Sequence, residues 1–174
     1  MTVEPRLDFD LVSTEPAPIY MGELPEDYSA VPADIVLNLC GAFPSISVPS
    51  PTILTLPMID TLETEYMPSR AQIEAFCKAA HTYAANEPTY WHCHAGLNRS
   101  GIVLATYLHI YRDMKISDII VMLREKRSPM VLCNNVFERT LRTWYGGPDE
   151  QEFEVFDLAT YLRERVRRRE RGKL

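Results

Sequence analysis

The chain has 174 residues, 46% of them hydrophobic and 24% charged, which suffices for one domain with one core and argues against wholesale disorder. Its net charge of −6 is unevenly spread: residues 160–174 hold seven basic and two acidic side chains, giving +5, so the remainder carries −11. A body this acidic repels polyanions and disfavours broad nucleic-acid binding, and no apolar run approaches the ~20 residues that a membrane helix requires.

Residues 1–14 read as an N-terminal extension. The stretch Met1 to Asp10 is acidic and lacks a basic segment followed by an apolar one, so no secretory signal is expected and a reducing cytoplasm is the default compartment. Short apolar runs then predict strands at Ile19-Tyr20-Met21, Ile35 to Leu39, Ile53 to Leu56 and Thr89-Tyr90-Trp91. Pro44, Pro49, Pro51 and Pro57 mark a surface loop leading into the third of these. Ser69 with Gln72 forms a capping box, and Ile73, Phe76, Cys77 and Ala80 recur at helical spacing behind it. Residues 100–112 are apolar nearly all round, as an enclosed central helix should be. Ser117 is expected to cap a further helix carrying Ile120 and Leu123, with Ile116 and Val121 as a hydrophobic staple. Asn134 or Asn135 opens another, through Phe137 and Leu141. Strands first and helices later predict an α/β domain over residues 15–148, one sheet with helices packed on it. Residues 149–174 are expected to form an Arg-rich, helical tail, read as a solvated helix end that could also grip a polyanion.

Four cysteines, Cys40, Cys77, Cys93 and Cys133, are widely spaced with no CxxC pair, so neither a zinc site nor a disulfide framework is expected. Cys93 stands apart. It lies between a predicted strand and the enclosed helix, in His92-Cys93-His94-Ala95-Gly96-Leu97-Asn98-Arg99-Ser100-Gly101. A loop curling into a helix N-terminus directs backbone N–H groups at one point, and the helix dipole adds positive potential there. The amides of His94, Ala95, Gly96, Leu97, Asn98 and Arg99 would form that anion cradle. Gly96 and Gly101 permit conformations or close approaches that a side chain obstructs, and Arg99 can offer two parallel donors to phosphate oxygens. The same field favours a Cys93 thiolate, with Ser100 as a hydrogen-bond donor to the sulfur, and a thiolate at the floor of a phosphate cradle can attack phosphorus to give a phosphocysteine. His92, Cys93 and His94 point alternately along an extended segment and make a poor metal cage, so no metal and no cofactor are expected. His92 is assigned instead to ordering the loop through its carbonyls. A chance match to this pattern in a chain this long has odds on the order of one in 10⁵ or rarer.

The stretch resembles the signature of the protein tyrosine phosphatase superfamily, HCxxGxxR[ST]G, with every fixed position filled. Ile19 to Gly22 resembles the opening strand of dual-specificity phosphatases, and Leu123 to Leu141 resembles their arginine-then-asparagine segment, so the resemblance covers roughly residues 15–145. It implies a cysteine-based phosphatase fold with a single central mixed sheet of about four to five strands flanked by helices. It also implies a general acid about thirty residues before the cysteine. Asp60, 33 positions before Cys93, is the choice, with Glu63 and Glu65 as alternatives. By the same resemblance Asn134 supports the loop from the side.

The chain is too short for the deep pocket of the large classical tyrosine phosphatases and has Met58-Ile59-Asp60 in place of their Trp-Pro-Asp. A shallow dual-specificity pocket is the better resemblance, and the expected partner is a phosphorylated protein, with a monomer as the default and neither nucleic acid nor membrane expected. Leu97-Asn98-Arg99 resembles the loop of cysteine-type RNA 5′-triphosphatases, and Asn38-Leu39-Cys40 the strand end of the phosphoinositide-directed branch. In that branch the cysteine equivalent to Cys40 can form a reversible disulfide with the nucleophile, which makes Cys40 a candidate redox partner of Cys93. Some superfamily members only bind phosphorylated partners, generally after losing the cysteine or arginine, both of which are present here.

Overall fold

The computed structural model describes residues 7–44 and 50–147. Five strands, β1 (Phe9–Ser13), β2 (Ile19–Gly22), β3 (Ile35–Asn38), β4 (Thr52–Thr55) and β5 (Thr89–His92), form one sheet in the order β1-β2-β5-β3-β4. Four helices accompany it: α1 (Arg70–Ala84), α2 (Arg99–Arg112), α3 (Ile116–Lys126) and α4 (Asn135–Tyr145). The sheet is mixed, because β1 runs antiparallel to β2 while β2, β5, β3 and β4 are parallel. None of the described helices is long and apolar enough to cross a membrane.

The pleat sorts the side chains. Ile19, Met21, Ile35, Leu37 and Trp91 face one way and join the main core with Ile73 and Cys77 of α1, Val103 of α2, Ile120 of α3 and Phe137 of α4. Tyr20, Val36 and Tyr90 face the other way and pack with Phe9, Tyr28 and Ile53. The core helix is α2, whose residues from Arg99 through Leu108 are all buried, so its apolar circumference is used on every side.

β1 lies within the stretch read from the sequence as an extension. Its Val12 is fully buried in the core, while Asp10 and the preceding Asp8 pair with Arg127 rather than merely facing water, so their charge disguised a strand. The helix boundaries also shift at α3. It begins at Ile116 with Lys115 at the cap position, so Ser117 sits inside the first turn. Val121 is 55% exposed and cannot staple to the buried Ile116; Ile119, Ile120 and Leu123 form the inward face. The capping box at Ser69 and Gln72 is present, and Asn134 caps α4 by accepting from the Val136 N–H. The Arg-rich tail lies outside the described residues.

The parallel register sets Gly22 beside His92, His92 beside Asn38, and Asn38 beside Thr55. Four strands thus end level. In open α/β sheets the crevice beyond such strand ends is where ligands bind.

Candidate active site

The chain leaves β5 at His92 and enters α2 at Arg99 through a six-residue loop, 93–98. Consecutive carbonyls of that loop are tied outward. Leu24 N–H donates to the His94 carbonyl (3.0 Å), Arg127 donates to those of Ala95 (3.2 Å) and Gly96 (3.4 Å), Leu132 N–H to that of Leu97 (3.2 Å) and Ile102 N–H to that of Asn98 (2.9 Å). Within a planar trans peptide the C=O and N–H point in opposite directions, so anchoring the carbonyls outside turns N–H groups toward the centre. Gly96 adopts φ +64°, and a Cβ there would run into the backbone carbonyl of Gly22. Glycine is required both for that left-handed conformation and for the contact with β2.

Cys93 lies at the centre, 2% exposed, its Sγ 3.4 Å from the Ser100 Oγ. Burial pushes its thiol up, but hydrogen bonds from the Ser100 hydroxyl and from the Ser100 and Leu97 N–H groups, with the Arg99 charge, outweigh burial and hold it below the ordinary thiol value. Cys77, buried without such donors, is pushed far up by desolvation. The loop therefore singles out one cysteine. Arg99 is buried, donates from Nη1 to the Met58 carbonyl (3.2 Å), and keeps a buried Nε with no hydrogen-bond partner. A buried donor of this kind calls for an acceptor, which an oxyanion over Cys93 would supply.

Behind the loop His92 is fully buried, and burial first of all lowers its pKa to about 4. The neutral ring can donate from Nδ1 to the Cys93 carbonyl (3.3 Å) and accept at Nε2 from the Tyr28 hydroxyl (3.0 Å), which itself accepts from Asn38 (3.3 Å). Gly101 packs against Leu132 and Val131, where a Cβ would meet their side chains at 3.2–3.3 Å.

Asp60 stands beside the loop. Its Oδ2 accepts from Asn98 Nδ2 (3.1 Å) and its Oδ1 from Asn134 Nδ2 (2.8 Å), and Asn134 also donates to the Thr61 carbonyl (2.8 Å). Glu63 and Glu65 are exposed, farther along the same segment. Cys40 is half-buried at the end of β3, with its thiol toward Asn38 Oδ1 (3.5 Å). Burial pushes the Cys40 thiol up; Arg99 and Cys93 lie close enough for their charges to act on it in opposite senses.

Two participants escaped the sequence reading. Arg127 belongs to the arginine-then-asparagine segment, and that resemblance was the available signal for its grip on the loop. The Asn98 side chain had none, because only the fold brings residues 60, 98 and 134 together. Among the described residues no group of three or more His, Cys, Asp or Glu is arranged to hold a metal ion.

The family model described as "Dual specificity phosphatase, catalytic domain" matches residues 21–146. Comparison with curated proteins gives no match. Among solved structures, the chain is similar to a mouse putative dual specificity phosphatase complexed with zinc tungstate, at 19% identity and TM-score 0.64, over 83% of this chain and 91% of that one. It is similar to human DUSP28 at 19% identity and TM-score 0.61, over 82% and 95% respectively. It is also similar to PTPMT1 in complex with PI(5)P, at 16% identity and TM-score 0.56, over 78% and 97%. Likeness at such identities establishes the fold.

Proposed function

Since the chain belongs to the dual-specificity phosphatase catalytic-domain family and is a cysteine-based phosphatase, we propose that its substrates are phosphotyrosine, phosphoserine and phosphothreonine side chains of proteins. The observation that carries the chemistry is geometric: the buried Cys93 Sγ sits 3.4 Å from the Ser100 hydroxyl, in the loop that leads into Arg99, whose buried Nε has no partner. In this reading the Cys93 thiolate attacks phosphorus and forms an S–P bond as the P–O bond to the leaving group breaks. Asp60 gives its proton to the departing oxygen. Arg99 and the loop amides of residues 94–99 hold the phosphoryl oxygens as charge redistributes, and Ser100 donates to the sulfur. Water then attacks phosphorus and loses a proton to Asp60; the S–P bond breaks, and thiolate and inorganic phosphate are released. Cys93 works as a free thiol here, which suits a reducing cytoplasm.

The substrate class is supported by the charge of the four segments that hydrogen-bond to the phosphate loop or to His92 before it, through Leu24, Leu39, Asp60 and Leu132. The segments 20–30, 38–44, 57–67 and 131–135 contain no lysine or arginine, whereas Glu23, Glu26, Asp27, Asp60, Glu63 and Glu65 are acidic. Ile59, Leu62, Tyr66 and Phe43 are exposed on two of these segments. A polyphosphorylated inositol lipid or a 5′-triphosphorylated RNA would meet repulsion beyond its reacting phosphate, while a phosphorylated peptide can use the apolar side chains.

Turnover of phosphopeptides, a phosphoinositide and triphosphorylated RNA by the wild type tests the substrate, and two variants test the chemistry. Cys93→Ser should abolish turnover while retaining vanadate binding, and Asp60→Asn should lower kcat on a phosphopeptide by roughly 10²–10⁴. Faster turnover of the lipid or the RNA than of every phosphopeptide would overturn the substrate class; retained turnover in Cys93→Ser would overturn the mechanism.

A further inference from the structure

We infer that the Asn98 side chain is a positioning residue, fixing the Asp60 carboxyl relative to the phosphate loop; the inference rests on the reading of Asp60 as the proton donor. Asn98 occupies the cap position of α2, where an asparagine ordinarily accepts a bond from the first-turn N–H groups, yet its side chain makes no such bond. It is turned elsewhere. Its Oδ1 accepts from the Asn134 backbone N–H (3.0 Å) and the Cys133 thiol (3.5 Å). A backbone N–H can only donate, so this contact fixes which end of the amide is oxygen and leaves the NH₂ for Asp60 Oδ2 at 3.1 Å.

The second amide is oriented by the same logic. Asn134 Oδ1 accepts from the Val136 N–H (3.0 Å) at the start of α4, so its Nδ2 faces Asp60 Oδ1 at 2.8 Å. Each carboxyl oxygen thus receives one N–H and keeps a second lone pair for a proton. The surrounding segment supplies little packing to do the job otherwise: Ile59 is 64% and Leu62 78% exposed on either side of Asp60. Met58 is buried, and its carbonyl accepts from Arg99 Nη1 at 3.2 Å. Neighbouring residues of the phosphate loop, Asn98 and Arg99, therefore grip the acid segment at two points. The acid is registered to the loop that holds the phosphate and not to its own exposed chain.

The consequence is selective for leaving groups. Phenolate is a strong base and must be protonated as it departs, whereas p-nitrophenolate can leave largely unprotonated, so a misplaced acid slows phenyl phosphate far more. Asn98→Ala keeps the backbone N–H, and its φ of −94° and ψ of −65° suit alanine. This variant should lose on the order of 10- to 100-fold in kcat on phenyl phosphate, the scale of a ~1 Å misplacement, and at least about 5-fold less than that on p-nitrophenyl phosphate. Asp60→Asn should show the same selectivity, and adding Asn98→Ala to it should change little more. Asn98→Asp keeps an acceptor for the Asn134 N–H but sets a carboxylate against Asp60, so it should be at least as slow as Asn98→Ala on phenyl phosphate.

Equal losses on both substrates in Asn98→Ala, or recovery in Asn98→Asp, would show that the side chain serves only the loop's shape and would overturn the inference while Asp60→Asn stays selective. If Asp60→Asn itself shows no selectivity, the proton-donor reading fails and takes the inference with it.

Discussion

Two buried cysteines of this chain differ by what surrounds them and not by depth. Cys77 donates to the Val103 carbonyl, at 3.5 Å, and desolvation raises its thiol, whereas Cys93 is surrounded by donors that more than offset the same desolvation. Ser100 contributes the side-chain donor, ahead of the Ser100 and Leu97 amides and the Arg99 charge. Replacing it by alanine removes a stabiliser of the thiolate alone, so the Cys93 thiol should move upward. Measured as the rate of Cys93 alkylation by iodoacetamide against pH, the midpoint in Ser100→Ala should lie above that of the wild type, with unchanged reactivity at high pH where both are ionised. A coincident midpoint would transfer the effect to the backbone. This residue scale is where the sequence was most informative, since Cys93, Arg99, Ser100 and the glycines are adjacent in the chain. Asn98 was legible only as a backbone amide; its side-chain partners are 35, 36 and 38 positions away.

The phosphate loop keeps its shape by leaning on its neighbours. β2 passes so close that Gly96 has room for no side chain against the Gly22 carbonyl, and the Leu24 N–H holds His94 from the same strand end. Gly96→Ala combines a backbone conformation costly for an L side chain with a collision against backbone, which cannot swing aside as a side chain could. The variant should lose stability by about 2–4 kcal/mol, the range of strain at such a position plus displaced packing. Vanadate binding should weaken with it, because the amides must move. Urea unfolding alongside vanadate inhibition checks both, and an unweakened inhibitor would mean that the loop tolerates separation from β2. Element positions were readable because parallel strands have continuous apolar runs and helices have periodic ones. The start of α3 was not, since Ser117 looks like a cap and Lys115 does not; Ile116 enters the core as the first helical residue, and tertiary burial outweighed capping preference.

At the scale of the whole molecule, Arg127 joins the N-terminal segment of the fold to the phosphate loop. From the end of α3 its side chain, 4% exposed, donates to Asp8 (2.8 Å), to Asp10 (2.9 Å) and to the Ala95 and Gly96 carbonyls. The acidic N-terminal segment, which composition alone presents as an extension, thereby neutralises the cation that anchors the phosphate loop. The hydrogen bond from Arg127 is the largest influence on the Asp8 carboxyl and, against partial desolvation, leaves it below its ordinary value of 3.8. A carboxyl lowered on folding stabilises the fold above its unfolded value, and the contribution disappears as pH falls through the lowered folded value. Asp8 is 65% exposed, so the pair is screened and the stability at stake is small. Asp8→Asn should therefore lower Tm by about 1–3 °C at pH 7, and the difference from wild type should vanish in strong acid, below the folded value. Arg127→Met should cost more, because it also strips donors from two loop carbonyls, and that part of its deficit should persist in acid while the part shared with Asp8→Asn disappears. Thermal melts of the three proteins from pH 7 into strong acid separate these contributions. A deficit in Asp8→Asn that stayed constant across the range would show that the ion pair does not couple the N-terminal strand to the loop.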